Sequence, residues 1–175
     1  MILYSQRDPA FSNTYLPKSR MTINQAGCYL ACIATLGQAP DLVQLMNTKG
    51  AFANGGLLFS EVLANALGMR YRGITGNQPA GWSVGVTHHF AGVGVPTHFV
   101  LVNGNQMIDP LATPAVIEPL KYKIAEYRVF DGIKLPEAIR QELEKKERAL
   151  TRATGDRKIA LTAEVRKYRR LVAAE

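Results

Sequence analysis

Residues 97–110, Thr-His-Phe-Val-Leu-Val-Asn-Gly-Asn-Gln-Met-Ile-Asp-Pro, decide the fold predicted for this chain. Two apolar-rich runs flank an Asn-Gly pair, and both of its residues tolerate the positive φ of a two-residue hairpin turn. A turn at Asn103-Gly104 sets three pairs opposite each other: Val102 with Asn105, Val100 with Met107, and His98 with Asp109. Directly opposed side chains share a face, with Cβ atoms about 5 Å apart. The pattern therefore predicts a hairpin in which Asp109 holds one nitrogen of His98 and leaves the other to act as a base.

The composition predicts an ordered chain without a membrane span. The 175 residues are 47% hydrophobic and 20% charged, which argues for a packed core and against global disorder. No apolar run reaches the roughly 20 residues that cross a bilayer, and the N-terminus lacks the features of a signal peptide. We expect cytoplasmic synthesis without export by a signal peptide. Release by lysis, or incorporation into a virus particle, stays open.

The only two cysteines, Cys28 and Cys32, lie four residues apart. On one helix their geometry disfavours a mutual disulfide. Two cysteines without a matching His/Cys cluster do not make a zinc site. We therefore expect free thiols in a reducing compartment, and neither a metal nor a cofactor.

Helical patterns precede β patterns along the chain. Helices are predicted over 24–37, 41–49 and 57–67, the first capped by Asn24 and ended by Gly37. Strands are predicted over 69–75, 83–90, the 98–109 hairpin and 121–130. Helices followed by an antiparallel sheet predict an α+β domain in which the helices pack against the sheet.

A change of composition near Asp131-Gly132 predicts a boundary between a domain at 1–132 and a basic helical tail at 133–175. Helices are expected over about 135–152 and 157–173, with Pro136 in the first turn. Twelve Lys and Arg stand against seven Asp and Glu in the tail, compared with nine against seven before it. Because acidic residues interrupt the basic ones, a solvated face is favoured over nucleic-acid binding. A narrow apolar stripe predicts packing on the domain or on another chain.

Cys28 follows Gly27 at a predicted helix start, where the helix dipole and free N–H groups stabilise a thiolate. Taken alone, a free cysteine is most often a small buried hydrophobe, as we expect of Cys32. His98 and Asp109 also have ordinary structural explanations, and the adjacent His88 and His89 compete with His98. Together, however, a thiolate that attacks a carbonyl, a histidine that carries the proton and an aspartate that orients it form a catalytic set.

These motifs resemble the papain-like cysteine peptidases, in the branch of bacteriocin-leader-processing peptidases and their peptidase-like relatives. The shared features are listed in chain order: Ser5-Gln6-Arg7-Asp8-Pro9, Gly27-Cys28-Tyr29-Leu30-Ala31, His98-Phe99-Val100-Leu101-Val102 and Asp109-Pro110. They cover about residues 4–115 and leave out the tail. The resemblance implies a papain-like fold, a Cys28-His98-Asp109 triad and a peptide or peptidoglycan substrate. Such relatives occur in phages and bacteria, sometimes beside cell-wall-degrading domains.

The family also supplies a glutamine that stabilises the oxyanion. The N-terminal motif assigns this role to Gln6, with Gln25 as the alternative. Tyr29 departs from the family, because many relatives have Gly after the cysteine. Two functions follow as expectations. The first is a cysteine peptidase or amidase; the second is a non-catalytic peptidase-like binding or structural module, such as a virus-particle component assembled through residues 133–175.

Overall fold

The computed structural model describes residues 1–88 and 97–173. It divides into two compact units, one of Ile2–Ile133 and one of Lys134–Glu175 together with Met1. The described part of the first unit combines short helices with a six-stranded antiparallel sheet, and the second is helical. The predicted α+β class, with helices first, a sheet after them and a helical tail, is confirmed.

The helices of the first unit are shorter than predicted. They are α1 (Ile23–Ala26), α2 (Cys28–Leu36), α3 (Leu42–Met46) and α4 (Ser60–Ala66), with a 3₁₀ turn at Asn54–Gly56. Asp41 caps α3 as its side chain accepts from the Gln44 N–H at 2.8 Å. The start predicted for α4 at residue 57 is wrong, because Leu57 and Leu58 bond to the Phe52–Ala53 segment.

The single helix predicted over 24–37 is two helices separated by Gly27. Thr22, rather than Asn24, caps α1 in a capping box with Gln25. A Cβ atom at Gly27 would lie 2.5 Å from the Ile23 carbonyl oxygen, so the two helices meet too closely for a side chain. Gly37 does cap the end of α2. Every residue of α2 is buried, as expected for a helix that is apolar on all sides.

Six strands form the sheet in the order β1-β6-β2-β3-β4-β5, and each neighbouring pair is antiparallel. The strands are β1 (Arg70–Thr75), β2 (Ser83–His88), β3 (Thr97–Asn103), β4 (Gln106–Ile108), β5 (Ile117–Pro119) and β6 (Glu126–Asp131). Strand β5 was not predicted. Strand β6 begins five residues later than the predicted 121, and the predicted end of β2 at 90 lies outside the described residues.

The predicted hairpin exists, but its predicted register is wrong. Val102 pairs with Met107 and Asn103 with Gln106, so the turn residues are Gly104 and Asn105. Gly104 has a φ of 53°, and it takes the first turn position instead of the second. Each partner on β4 is thereby displaced by two residues. A shift of two keeps every side chain on its predicted face, because faces alternate with a period of two.

The two faces of the sheet carry different groups. Phe99 pairs with Val86 on one face, where Tyr29 of α2 stacks on its ring with centroids 4.6 Å apart. Val100, Val102 and Tyr127 form a buried cluster on the other face. Three side chains pack against that cluster: Leu120, Tyr122 and Ile124.

The second unit is a hairpin of two helices, α5 (Leu135–Thr151) and α6 (Gly155–Ala173), which contact each other. Pro136 lies in the first turn of α5, as predicted. Ion pairs of Lys146 with Glu164 and of Arg169 with Glu147 join the helices. No helix in the described parts of the chain is long and apolar enough to cross a membrane.

Candidate active site

Cys28 is the first residue of α2, with Gly27 at the N-cap position. The first N–H groups of a helix have no acceptor within the helix, so the thiol lies where a negative charge is stabilised. Only 8% of the Cys28 residue is exposed. The site is therefore largely shielded from water, which strengthens electrostatic interactions within it.

His98 lies near the start of β3 and is 1% exposed. Its Nε2 atom lies 2.9 Å from Asp109 Oδ1. The Cys28 side chain lies near enough to the ring to raise the pKa of His98. Because Nε2 is engaged with the carboxylate, Nδ1 is the ring nitrogen left on the other side. The structure thus places His98 between the Asp109 carboxylate and the start of α2, where Cys28 lies.

The contact between His98 and Asp109 forms even though the two residues are not direct partners. In the observed register Val100, not His98, would oppose Asp109 if the pairing continued past Ile108. Asp109 is then a diagonal neighbour of His98 on the same face. Diagonal neighbours lie roughly 7–8 Å apart at Cα, which is within reach of an imidazole and a carboxylate.

Three donors hold the Asp109 carboxylate. Oδ1 accepts from His98 Nε2 and, at 2.9 Å, from the Leu111 N–H. Oδ2 accepts from the Tyr122 hydroxyl at 2.6 Å. Burial alone would raise the pKa of Asp109, but the hydrogen bonds from His98, Tyr122 and Leu111 outweigh it and lower that pKa. The carboxylate is therefore charged and fixed in orientation.

Tyr122 is a site residue that the sequence did not reveal. Its ring also lies edge-on to His98, with centroids 6.1 Å apart. Burial, followed by the bond to Asp109, raises the pKa of Tyr122, so its hydroxyl keeps its proton and stays a donor. The predicted strand at 121–130 contained Tyr122, but no local signal there pointed toward Asp109.

His98 is held in its charged form. Burial lowers its pKa, but the hydrogen bonds to Asp109 and Cys28 and the charges of both partners raise it to about 9. A charged ring is a donor at both nitrogens, and Nε2 donates to the carboxylate. This is the protonation state from which a histidine can stabilise a thiolate and later give up a proton.

The two candidate glutamines lie in different environments. Gln6 is 2% exposed, and its Nε2 donates to the Asn24 carbonyl at 2.6 Å, four residues before Cys28. The backbone N–H of Gln6 donates to the Pro110 carbonyl at 2.8 Å, next to Asp109. Gln25 is exposed, and its Oε1 accepts from the Thr22 N–H in the cap of α1. Gln6 is thus the glutamine held between the cysteine and aspartate segments.

Cys32 and His88 do not belong to this set. Cys32 is fully buried, and desolvation, followed by the neighbouring Cys28 and Asp109, raises its pKa well above the ordinary value, so it is an inert thiol. His88 is exposed at the end of β2. His89 lies outside the described residues. Tyr29 is 7% exposed and bonds through its hydroxyl to Ser60 Oγ at 2.6 Å.

Among residues 1–88 and 97–173, no group of three or more His, Cys, Asp and Glu side chains could hold a metal ion. Comparisons of the chain with protein-family models, with curated proteins and with solved structures found no match.

Proposed function

We propose that this protein is a cysteine peptidase or amidase in which Cys28 is the nucleophile, His98 carries the proton and Asp109 orients His98. One observation carries the proposal: the buried His98 ring is 2.9 Å from the Asp109 carboxylate and lies near enough to Cys28 for that side chain to raise the pKa of His98. A structural histidine needs a single partner, whereas this ring joins a thiol at a helix start to a charged carboxylate. That connection is the one required for nucleophilic catalysis.

The proposed reaction proceeds in two halves. The Cys28 thiolate forms a bond to the carbonyl carbon, and the carbonyl electron pair moves to oxygen. The C–N bond then breaks as His98 gives its proton to the leaving amine. In the second half, neutral His98 takes a proton from water, the resulting hydroxide attacks the thioester, and the carboxylic acid leaves as the thiolate and imidazolium are restored.

Gln6 and the Cys28 backbone N–H are the proposed donors to the oxyanion. The Asn24 carbonyl can only accept, so it fixes the Gln6 side chain with its nitrogen on that side. The second proton of this amide is the one proposed to serve the oxyanion. Gln6 Oε1 is buried and has no hydrogen-bond partner among the described residues. The amide group is therefore fixed through its nitrogen and not through its oxygen.

The papain-like resemblance remains part of the proposal and suggests the substrate. The Ser5-Gln6 segment is part of that resemblance. It lies next to the Asp109-Pro110 segment, because Ser5 Oγ donates to the Pro110 carbonyl at 3.1 Å. We propose a peptide bond in a protein or in peptidoglycan as the target, in a phage or bacterial setting.

Alkylation of Cys28 tests the proposal. Iodoacetamide should label Cys28 rapidly at pH 7, as followed by intact mass and located by peptide mapping. His98→Ala should slow labelling about tenfold, because an ordinary thiol is only a few per cent thiolate at that pH. The exposed His88→Ala is the matched control and should label like the native protein. Equal, slow labelling of the native protein and of His98→Ala would contradict the proposal.

Turnover is tested with a peptide mixture and with purified peptidoglycan. New termini should accumulate with the native protein and be absent with Cys28→Ala, as read by mass spectrometry. Gln6→Ala should lower turnover about 100-fold or more, the usual effect of losing one oxyanion donor. Gln25→Ala is its control, because Gln25 is exposed and belongs to the cap of α1.

A second candidate is a non-catalytic module that assembles through the helical tail. It is favoured by Ile159 of α6, whose side chain is 72% exposed, and by the low exposure of Cys28. Light scattering should then show an oligomer that Ile159→Arg dissociates, with Arg157→Ala as the control on the same helix. A native protein that is monomeric at all concentrations would contradict self-assembly.

A further inference from the structure

A cavity of about 190 Å³ is lined in part by residues that neighbour Cys28 in the chain. Ala26 and Tyr29, which flank Gly27-Cys28, both line it, as does Phe99, whose ring stacks on Tyr29. The remaining walls are mostly aliphatic and aromatic: Leu16, Leu30, Phe52, Gly56, Leu57, Leu58 and Arg128. The cavity is therefore an apolar space with one cationic side chain.

The size of the cavity indicates what it can hold. Sites for whole small molecules usually measure roughly 300–1,000 Å³. A space of 190 Å³ is smaller, so it suits one part of a longer ligand. Because residues on both sides of Cys28 line it, the natural occupant is a group next to the bond that Cys28 attacks.

Arg128 gives the cavity its charge. Its guanidinium lies over two stacked rings, 4.8 Å from the Tyr29 centroid and 5.0 Å from the Phe99 centroid. The Glu126 carboxylate forms an ion pair with Arg128, with Oε1 3.8 Å from Nη2, which is longer than a hydrogen bond. Arg128 Nε is buried and has no partner among the described residues.

The guanidinium has five N–H donors. Burial raises the pKa of Tyr29, and Arg128, which covers its ring, opposes that rise. The guanidinium is thus a cation that lies over aromatic rings and pairs with Glu126, while its Nε has no partner in the described chain. A fixed guanidinium of this kind suits a carboxylate, which it can bind through two parallel hydrogen bonds.

We propose that this cavity is a substrate subsite for an apolar residue that ends in a carboxylate, as at the C-terminus of a peptide. The apolar walls bind the side chain and Arg128 binds the carboxylate. The inference rests on the proposed function in that Cys28 is taken as the reacting group. It goes further by assigning a preference for free C-terminal apolar residues over amidated or internal ones.

Four alkylating reagents that differ at one end test the subsite. They are iodoacetamide, N-iodoacetyl-glycine, N-iodoacetyl-leucine and N-iodoacetyl-leucinamide. Each rate of labelling at Cys28 is divided by the rate with iodoacetamide, so that thiol reactivity cancels. The leucine acid should react about tenfold faster than leucinamide, the usual effect of a hydrogen bond to a charged group. It should also react several-fold faster than the glycine acid.

Variants assign each preference to its residue. Arg128→Gln should abolish the difference between acid and amide, whereas Arg128→Lys should keep part of it. Arg72→Gln removes an equal charge from β1 and should keep the whole difference, because Arg72 does not line the cavity. Leu57→Ala should reduce the preference for leucine over glycine. Phe59→Ala, an exposed neighbour outside the cavity lining, should keep it.

The subsite is overturned if all four reagents label native Cys28 at equal rates, or if Arg128→Gln and Arg128→Lys both keep the full acid preference. Failure of the proposed function has a different signature, in which His98→Ala labels with iodoacetamide at the native rate. The reagent ratios are read at one sulfur, so they report on the cavity whether or not His98 activates Cys28.

Discussion

Replacing Asp109 with Asn removes one charge from the site and puts an NH₂ group in place of the oxygen that accepts from the Tyr122 hydroxyl. The Asn side chain has nearly the same shape, and its oxygen can still accept from His98 Nε2 and from the Leu111 N–H, which the carboxylate binds at 2.9 Å each. What disappears is the negative charge beside the ring. His98 is almost fully buried, and burial lowers its pKa. In the variant this lowering would act without the Asp109 carboxylate, which opposes it.

The magnitude follows from the pKa of His98, which the site raises from 6.5 to about 9. A rise of that size corresponds to roughly 3 kcal/mol in favour of the charged ring. Asp109 contributes both its hydrogen bond and its charge to this rise, and Cys28 contributes the rest. In Asp109→Asn we therefore expect the pKa of His98 to fall to the ordinary value of about 6.5 or below it.

Histidine NMR measures this change directly. The ring resonances are followed from pH 5 to pH 10 and assigned by their loss in His98→Gln. Glu118→Gln is the matched control, since it makes the same carboxylate-to-amide change at a residue that bonds to Lys121 instead of His98. The reasoning is refuted if native His98 titrates near 6.5, or if Asp109→Asn leaves its midpoint near 9.

Three further predictions concern stability. The raised pKa of His98 gives a stabilisation that is complete below about pH 6.5 and is lost as the pH rises through about 9. The free energy of unfolding, measured with urea, should therefore fall between pH 6 and pH 10. This fall should be up to about 3 kcal/mol larger for the native protein than for Asp109→Asn. The lowered pKa of Asp109 affects the stability of the folded protein at the acidic end of the pH range. Its contribution to the free energy of unfolding is present above the ordinary carboxyl pKa and is lost as the pH falls below it. Tyr122→Phe removes the 2.6 Å bond to Asp109 and should lower the free energy of unfolding by about 1–3 kcal/mol, whereas Tyr15→Phe, at an exposed residue, should change it little. Gly27→Ala places a Cβ 2.5 Å from the Ile23 carbonyl oxygen and should lower the free energy of unfolding by about 1–3 kcal/mol in the same assay. An unchanged unfolding midpoint would show that α1 and α2 can separate freely.

Local features of the chain were enough to predict the parts of the fold that depend on neighbouring residues. The β-like runs around Asn103-Gly104 predicted a hairpin, and the chain forms one. The Asp41 cap follows from side-chain chemistry at a single position, and α2 ends before the predicted Gly37. The contact of His98 with Asp109 was also expected, because a register error of two residues leaves both side chains on one face.

Other features were decided only by the tertiary structure. The choice of Gly104-Asn105 as the turn depends on how β4 fits between β3 and β5, and not on the turn residues alone. Tyr122 reaches Asp109 from an irregular segment, which no period in the sequence describes. The Gln6 amide is brought beside the Cys28 segment by bonds to Asn24 and Pro110, which are 18 and 104 residues away in the chain.

By itself, then, the sequence predicted the candidate site residues: a thiol at a helix start, and an imidazole and a carboxylate at the two arms of one hairpin. The tertiary structure decided their charge state and their surroundings. Burial of His98 between Cys28 and Asp109 sets its charge, and the stacking of Tyr29, Phe99 and Arg128 creates a cavity with a cation in its wall. The physical reason is that charge state and cavity shape depend on desolvation and on contacts between distant segments, whereas strand, turn and cap signals depend on residues adjacent in the chain.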